Sequence, residues 1–97
     1  MDRAVAGRLA GTVVIVTGAD GAIGSGVCAR LLEAGAHVVI ADVDESRLTE
    51  VREELEVVNA DRVMAVRQDV SDEDSVVASF SKVFQTWGGL DGLVINA

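Results

Sequence analysis

The stretch Thr17-Gly18-Ala19-Asp20-Gly21-Ala22-Ile23-Gly24 decides the fold. It follows Thr12-Val13-Val14-Ile15-Val16, an apolar and largely β-branched run, and it opens a helical pattern from Ile23 to Ala34. A short continuous apolar run suits a strand buried on both faces, as in a parallel sheet covered by helices. Glycine allows a tight turn between strand and helix and lets the backbone approach a ligand closely. The N–H groups of the helix's first turn lack partners within the helix. They therefore face an anion, which the helix dipole also favours. Strand, glycine-rich turn and helix in this order point to the phosphates of a nucleotide.

The same alternation continues downstream. The first helix carries Ile23, Val27, Leu31 and Leu32 at helical spacing, and Gly35 ends it as a C′ residue. Cys28 lies beside that stripe and reads as a small buried hydrophobe rather than a reactive thiol. Ala36 to Ala41 is the second strand, with His37 at its start read as a surface or loop-edge residue. Asp44 suits the N-cap of a second helix. That helix sets Leu48, Val51, Leu55 and Val58 on one face and Arg47, Glu50, Arg52, Glu53, Glu54 and Glu56 on a solvated one. Arg62 to Arg67 is the third strand. Ser71 and Asp74 resemble a capping box for a third helix. Its broad stripe of Val76, Val77, Phe80, Val83, Phe84 and Trp87 is assigned to the core. Gly88-Gly89 ends that helix, and Leu93 to Ala97 is a fourth strand. Right-handed crossovers turn this βαβαβαβ order into an α/β, Rossmann-type parallel sheet with helices on both faces and strand order 3-2-1-4.

Composition narrows the function. The 97 residues suffice for one small domain, and 49% are hydrophobic, which fits a packed core. A net charge of −8 with no basic run disfavours nucleic acid and anionic membrane surfaces. Met1 to Leu9 holds no sustained apolar run, so no signal peptide is expected, and no stretch nears the roughly 20 residues of a membrane span. One cysteine excludes an internal disulfide and fits a reducing cytoplasm. One histidine and one distant cysteine make a metal site a poor reading.

Four features fall outside the carboxyl ends of the strands, where open parallel sheets bind ligands. The first is the glycine turn. The second is Asp42, which follows strand two and can accept hydrogen bonds from both hydroxyls of an adenine ribose, although an acid there also serves as a helix cap. The third is Asp69-Val70, placed either to meet the adenine edge or to act as an ordinary turn. The fourth is Asn96 at the end of strand four.

Together these residues resemble the N-terminal, cofactor-binding part of the short-chain dehydrogenase/reductase family, from about Leu9 to Ala97. TGADGAIG resembles the family's T-G-x-x-x-G-x-G, Asp42 its NAD-selecting acid, Asp69-Val70 its D-V pair near adenine, and Ile95-Asn96-Ala97 the start of its N-N-A-G. Ala22 stands where the family has its middle glycine, with Gly21 one place earlier, and Ile95 replaces the first asparagine. An alanine is compatible with the turn where φ is negative.

The resemblance implies an NAD-dependent oxidoreductase. Hydride passes between the nicotinamide and a hydroxyl or keto carbon of a small substrate, in a protein that forms homo-oligomers. It implies a cofactor site of Gly18, Asp20, Gly21, Ala22, Ile23, Gly24, Asp42, Asp69, Val70 and Asn96. The family's serine, tyrosine and lysine, which transfer the proton, lie after the fourth strand. This sequence has no tyrosine, its one lysine is Lys82 on the third helix, and no catalytic residue is assigned within it. The 97 residues are therefore expected to be part of a longer polypeptide or to be completed by a second chain. A non-catalytic NAD-binding or regulatory module is the alternative. A methyltransferase, which also uses a ribose-binding acid after strand two, is disfavoured by the glycine turn and by Asn96.

Overall fold

Five consecutive β-branched residues, Val13–Thr17, form strand β1 in the computed structural model, which describes residues 9–18, 22–69 and 71–95. Helix α1 (Ala22–Glu33), β2 (His37–Asp42), α2 (Glu45–Asn59), a 3₁₀ turn (Ala60–Arg62), β3 (Val63–Arg67), α3 (Glu73–Trp87) and β4 (Gly92–Ile95) follow. The strands hydrogen-bond in the order β3-β2-β1-β4, and every pairing is parallel. The architecture is a Rossmann-type α/β layering.

Side-chain alternation divides the sheet between two cores. Val14, Val16, Val38 and Ile40 face Cys28 and Leu32 of α1 and Leu48, Val51 and Leu55 of α2. Val13, Ile15, Val39, Ala41 and Val66 face the other way and meet Val83 of α3, flanked by Phe80, Trp87 and Leu90. The central strands are buried on both sides except at their ends, which is why Val13 to Val16 and Val38 to Ala41 are apolar.

Hydrogen bonds at the amino ends of the strands fix that edge of the layering. The N–H of Gly35, at φ 100°, donates to Leu32 O and that of Ala36 to Leu31 O, the paired bonds of a Schellman motif. Arg62 Nη1 donates to Leu32 O (2.9 Å) and Ala36 O (3.0 Å), bringing a positive charge to the carboxyl end of α1. Asp91 binds Val13 reciprocally: the Val13 N–H donates to Asp91 Oδ2 and the Asp91 N–H to Val13 O, both at 2.8 Å.

Several expectations require correction. Thr12 lies outside β1, because its N–H and hydroxyl both turn back to Leu9 O. Ala34 belongs to the turn after α1, and Ala36 and Arg62 precede their strands. β4 begins at Gly92, while Asn96 and Ala97 lie outside the described residues. The N-cap of α3 is Asp72, whose carboxylate accepts the Asp74 N–H. Ser71 is unavailable for capping, since its N–H and hydroxyl both go to Asp69 Oδ1.

The stripe on α3 is narrower than its apolar residues suggest. Val83 is buried, but Val77 and Phe84 are 56% and 52% exposed, because one helix presents only part of so broad an arc to a flat sheet. Val58, at 44%, likewise leaves the core beyond Leu55. His37, expected at the surface or at a loop edge, is the first residue of β2, directly after the turn that ends α1. It is half-buried, with its ring edge-on to Trp87 at 4.9 Å.

Candidate functional site

Parallel register brings the carboxyl ends of the strands level. Thr17 of β1 lies opposite Ala41 of β2 and Ile95 of β4, and Asp42 lies opposite Arg67 of β3. Whatever follows those residues gathers along one edge of the sheet. Gly18 leaves β1 there with φ 63°, a left-handed conformation that favours glycine, and its N–H donates to Ala41 O at 3.1 Å. Asp20 and Gly21 lie outside the described residues. Ala22 and Ile23 open α1, and Gly24 is buried in its first turn. α1 thus begins a few residues after the end of β1, so the positive end of its dipole belongs to the edge where the strands end.

Asp42 is half-buried at the end of β2. Its Oδ1 accepts the N–H of Asp44 at 3.1 Å, an Asx turn that steers the chain into α2. The helix cap itself is Asp44, which accepts the N–H groups of Ser46 and Arg47 at 3.0 and 3.2 Å. Asp42 is therefore not needed as a cap. Among the described residues its Oδ2 has no hydrogen-bond partner. One carboxylate oxygen so placed suits a diol.

Asp69 performs turn work as well. Its Oδ1 accepts the Ser71 hydroxyl at 2.6 Å and the Ser71 N–H at 3.0 Å, and its carbonyl accepts the Asp72 N–H. The Ser71 hydroxyl, and then its N–H, hold the Asp69 carboxyl below its ordinary range; burial opposes them, and the charge of Arg67 lowers it by a lesser amount still. Val70 and Asn96 lie outside the described residues. Geometry thus brings Gly18, the α1 start, Asp42 and Asp69 to one edge.

Sequence reading missed two residues here. Arg67 reads as a strand flank, yet parallel register sets it beside Asp42, and it forms no ion pair among the described residues. Gln68 carries no motif, yet its N–H donates to Asp42 O at 2.8 Å and its side chain is buried against α3. Neither leaves a periodic signal; only the strand register, once known, points to them. Cys28 lies in the core between α1 and the sheet, and burial pushes its thiol from an ordinary 9.0 up to about 12, consistent with an inert packing residue. No helix among the described residues is long and apolar enough to cross a membrane.

The family model for short chain dehydrogenases matches residues 12–97. Glucose 1-dehydrogenase from Gluconobacter oxydans is 39% identical over 90 residues, covering 93% of this chain and 34% of that protein. The crystal structure of a short chain dehydrogenase from Mycobacterium smegmatis superposes with a TM-score of 0.85 at 44% identity, over 94% of this chain and 38% of that one. The N-domain of a bacterial malonyl-CoA reductase, solved with NADP, gives a TM-score of 0.84 at 33% identity, over 90% of this chain and 16% of that one. The chain spans about a third or less of the length of the first curated relatives it matches.

Proposed function

This chain belongs to the short chain dehydrogenase family, and from that premise we propose that residues 1–97 form the NAD-binding segment of an oxidoreductase. The whole protein transfers hydride between NAD(H) and a hydroxyl or keto carbon of a small substrate. The observation that carries the choice of cofactor is the Oδ2 of Asp42, without a partner among the described residues, at the end of β2 next to Ala41, whose carbonyl accepts the Gly18 N–H. A carboxylate there accepts both hydroxyls of an adenine ribose and repels a 2′-phosphate.

Each residue has a role on this reading. Backbone from Gly18 to Gly21 and the first N–H groups of α1, at Ala22 and Ile23, hold the pyrophosphate. Gly24 keeps helix and strand close. Asp42 orients the ribose, Asp69 and Val70 border the adenine, and Asn96 lies beside the ribose nearer the reacting end. NAD, when bound, supplies the hydride acceptor. The proton-transfer groups come from outside these residues, because the sequence has no tyrosine and its one lysine lies on α3. The dehydrogenase and reductase names of the relatives support the reaction class.

Titration of the whole protein with NAD and with NADP is the test. Tighter NAD binding is expected. Equal or tighter NADP binding refutes the cofactor choice, and binding of S-adenosylmethionine in place of both refutes the dehydrogenase reading.

A further inference from the structure

We propose that Gln68 is a positioning residue for the adenosine end of the nucleotide site, acting through Asp42 and Asp69 and paired with Ser79 of α3. The proposal rests on the NAD-binding reading above and adds to it a residue that does not touch the nucleotide.

Gln68 and Ser79 are the buried polar side chains among the described residues, at 6% and 4% exposure. Gln68 Nε2 donates to Ser79 Oγ at 2.7 Å. The Ser79 hydroxyl donates in turn to Val76 O at 2.9 Å, so its proton is committed and its oxygen must accept. A buried carboxamide is costly unless it is bonded. Two residues earlier on the same face of β3 the chain uses Val66, an apolar core residue. Packing at this corner is therefore achieved with apolar groups nearby, while the polar pair occurs where the strand leaves the sheet.

The backbone around that pair links both acids. The Gln68 N–H donates to Asp42 O at 2.8 Å, extending the β2–β3 ladder to the last residue of β2. The next N–H, that of Asp69, donates to Ser75 Oγ at 3.0 Å. Ser75 and Ser79 are four residues apart, so they share one face of α3. One side chain from each of two successive turns of α3 thus grips successive residues of the β3 exit. The end of β2, the β3 exit and the start of α3 form one hydrogen-bonded unit. That unit fixes the separation of the Asp42 and Asp69 carboxylates before ligand arrives. Fixing it lowers the ordering cost of binding a rigid adenosine.

The test uses the whole protein with Gln68→Met, which keeps length and loses the donor, with Ser79→Ala, and with both. Leu55→Ala, on the opposite face of the sheet, is the control for general destabilisation. We expect each single variant and the double variant to raise the KM for NAD by about fivefold to tenfold, non-additively, with kcat within about twofold of wild type. Ser79→Thr, which retains the hydroxyl, restores the KM of wild type. Leu55→Ala lowers thermal stability and leaves the KM unmoved. A second readout needs no nucleotide: amide hydrogen exchange at Asp69 and Asp72 accelerates in ligand-free Gln68→Met. If wild type binds NAD while Gln68→Met changes neither KM nor that exchange, the positioning role is overturned. If Gln68→Met only lowers stability, as the control does, it is overturned equally. If exchange accelerates but wild type binds no NAD, the NAD reading has failed, and the positioning role with it.

Discussion

Asp42→Ser should shift the choice between NAD and NADP by about 30-fold. The carboxylate has two duties in the structure. Oδ1 holds the Asp44 N–H at 3.1 Å, and Oδ2 has no partner among the described residues. Serine retains one acceptor and can replace the Asx turn with the weaker hydroxyl version. The cap of α2 is untouched, because Asp44 supplies it. Losing a charged acceptor for the ribose hydroxyls costs at most about 1.5–3 kcal/mol, and the partial exposure of Asp42 together with the retained hydroxyl reduces that to about 1 kcal/mol. For NADP, a 2′-phosphate at about 5 Å from the carboxylate is repelled by roughly 1–3 kcal/mol, again near the lower end at a half-exposed position. The two effects act in opposite directions on the two cofactors, so the ratio of affinities moves by about 2 kcal/mol, on the order of 30-fold toward NADP. Isothermal titration of wild type and variant with both cofactors measures it, with thermal unfolding as a check on the fold. A ratio that moves by less than about threefold in a variant of unchanged stability refutes the assignment of Asp42.

Three further outcomes follow from the geometry. Arg62→Met removes both bonds to Leu32 O and Ala36 O and should cost about 2 kcal/mol of stability, read as a lower urea midpoint; an unchanged midpoint contradicts the capping role. The fold raises the Cys28 thiol from 9.0 to about 12 by burial, so it favours the protonated form. The stability this contributes is complete below pH 9 and declines as pH rises toward about 12. At pH 8 alkylation should proceed only through unfolding, and rapid labelling of the native protein contradicts it. Arg67→Gln should weaken NADP by about twofold and leave NAD unmoved, because an exposed, screened cation contributes little; a loss of tenfold or more would mean that the guanidinium touches the phosphate.

The layering was legible because its signal is local and repeated. Thr12 to Val16 and Ala36 to Ala41 are largely apolar runs of strand length, and Leu48, Val51 and Leu55 recur at helical spacing. The positions of Gly18, Asp42 and Asp69 follow from the same reading, since parallel strands deliver their following residues to one edge. The misreadings are equally physical. Val77 and Phe84 are apolar and helically spaced, and composition alone does not reveal how little of a helix a single sheet face covers. The α3 cap went to Asp72 because Ser71 was committed to Asp69, a competition between neighbours that no spacing rule encodes. Arg62 on the α1 carbonyls, Asp91 on Val13 and Gln68 on Ser79 join residues far apart in sequence. Their partners can be named only after the elements have been packed.

Cofactor choice on the proposed reading depends on two charges that parallel pairing sets side by side. Asp42 and Arg67 are register partners, and alternation from Ile40 and Ala65 turns both toward the α1–α2 side of the sheet. A count of charges would make them cancel and leave no preference. Distance and exposure separate them. Asp42 ends the strand that leads into the ribose position, is half-buried, and offers an oxygen with no competing partner among the described residues. Arg67 is exposed and lies one strand farther from the glycine turn, in the order β3-β2-β1. One strand spacing is about 4.8 Å, so its charge acts on a 2′-phosphate at β2 from roughly 8 Å or more through water. At that range an exposed pair is worth about 0.5 kcal/mol before screening, and the separation is already close to one Debye length in physiological salt. The nearer acid contributes about 1 kcal/mol or more of repulsion and adds hydrogen bonds that only an unphosphorylated ribose can make. Arg67 therefore softens the discrimination made by Asp42 without reversing it.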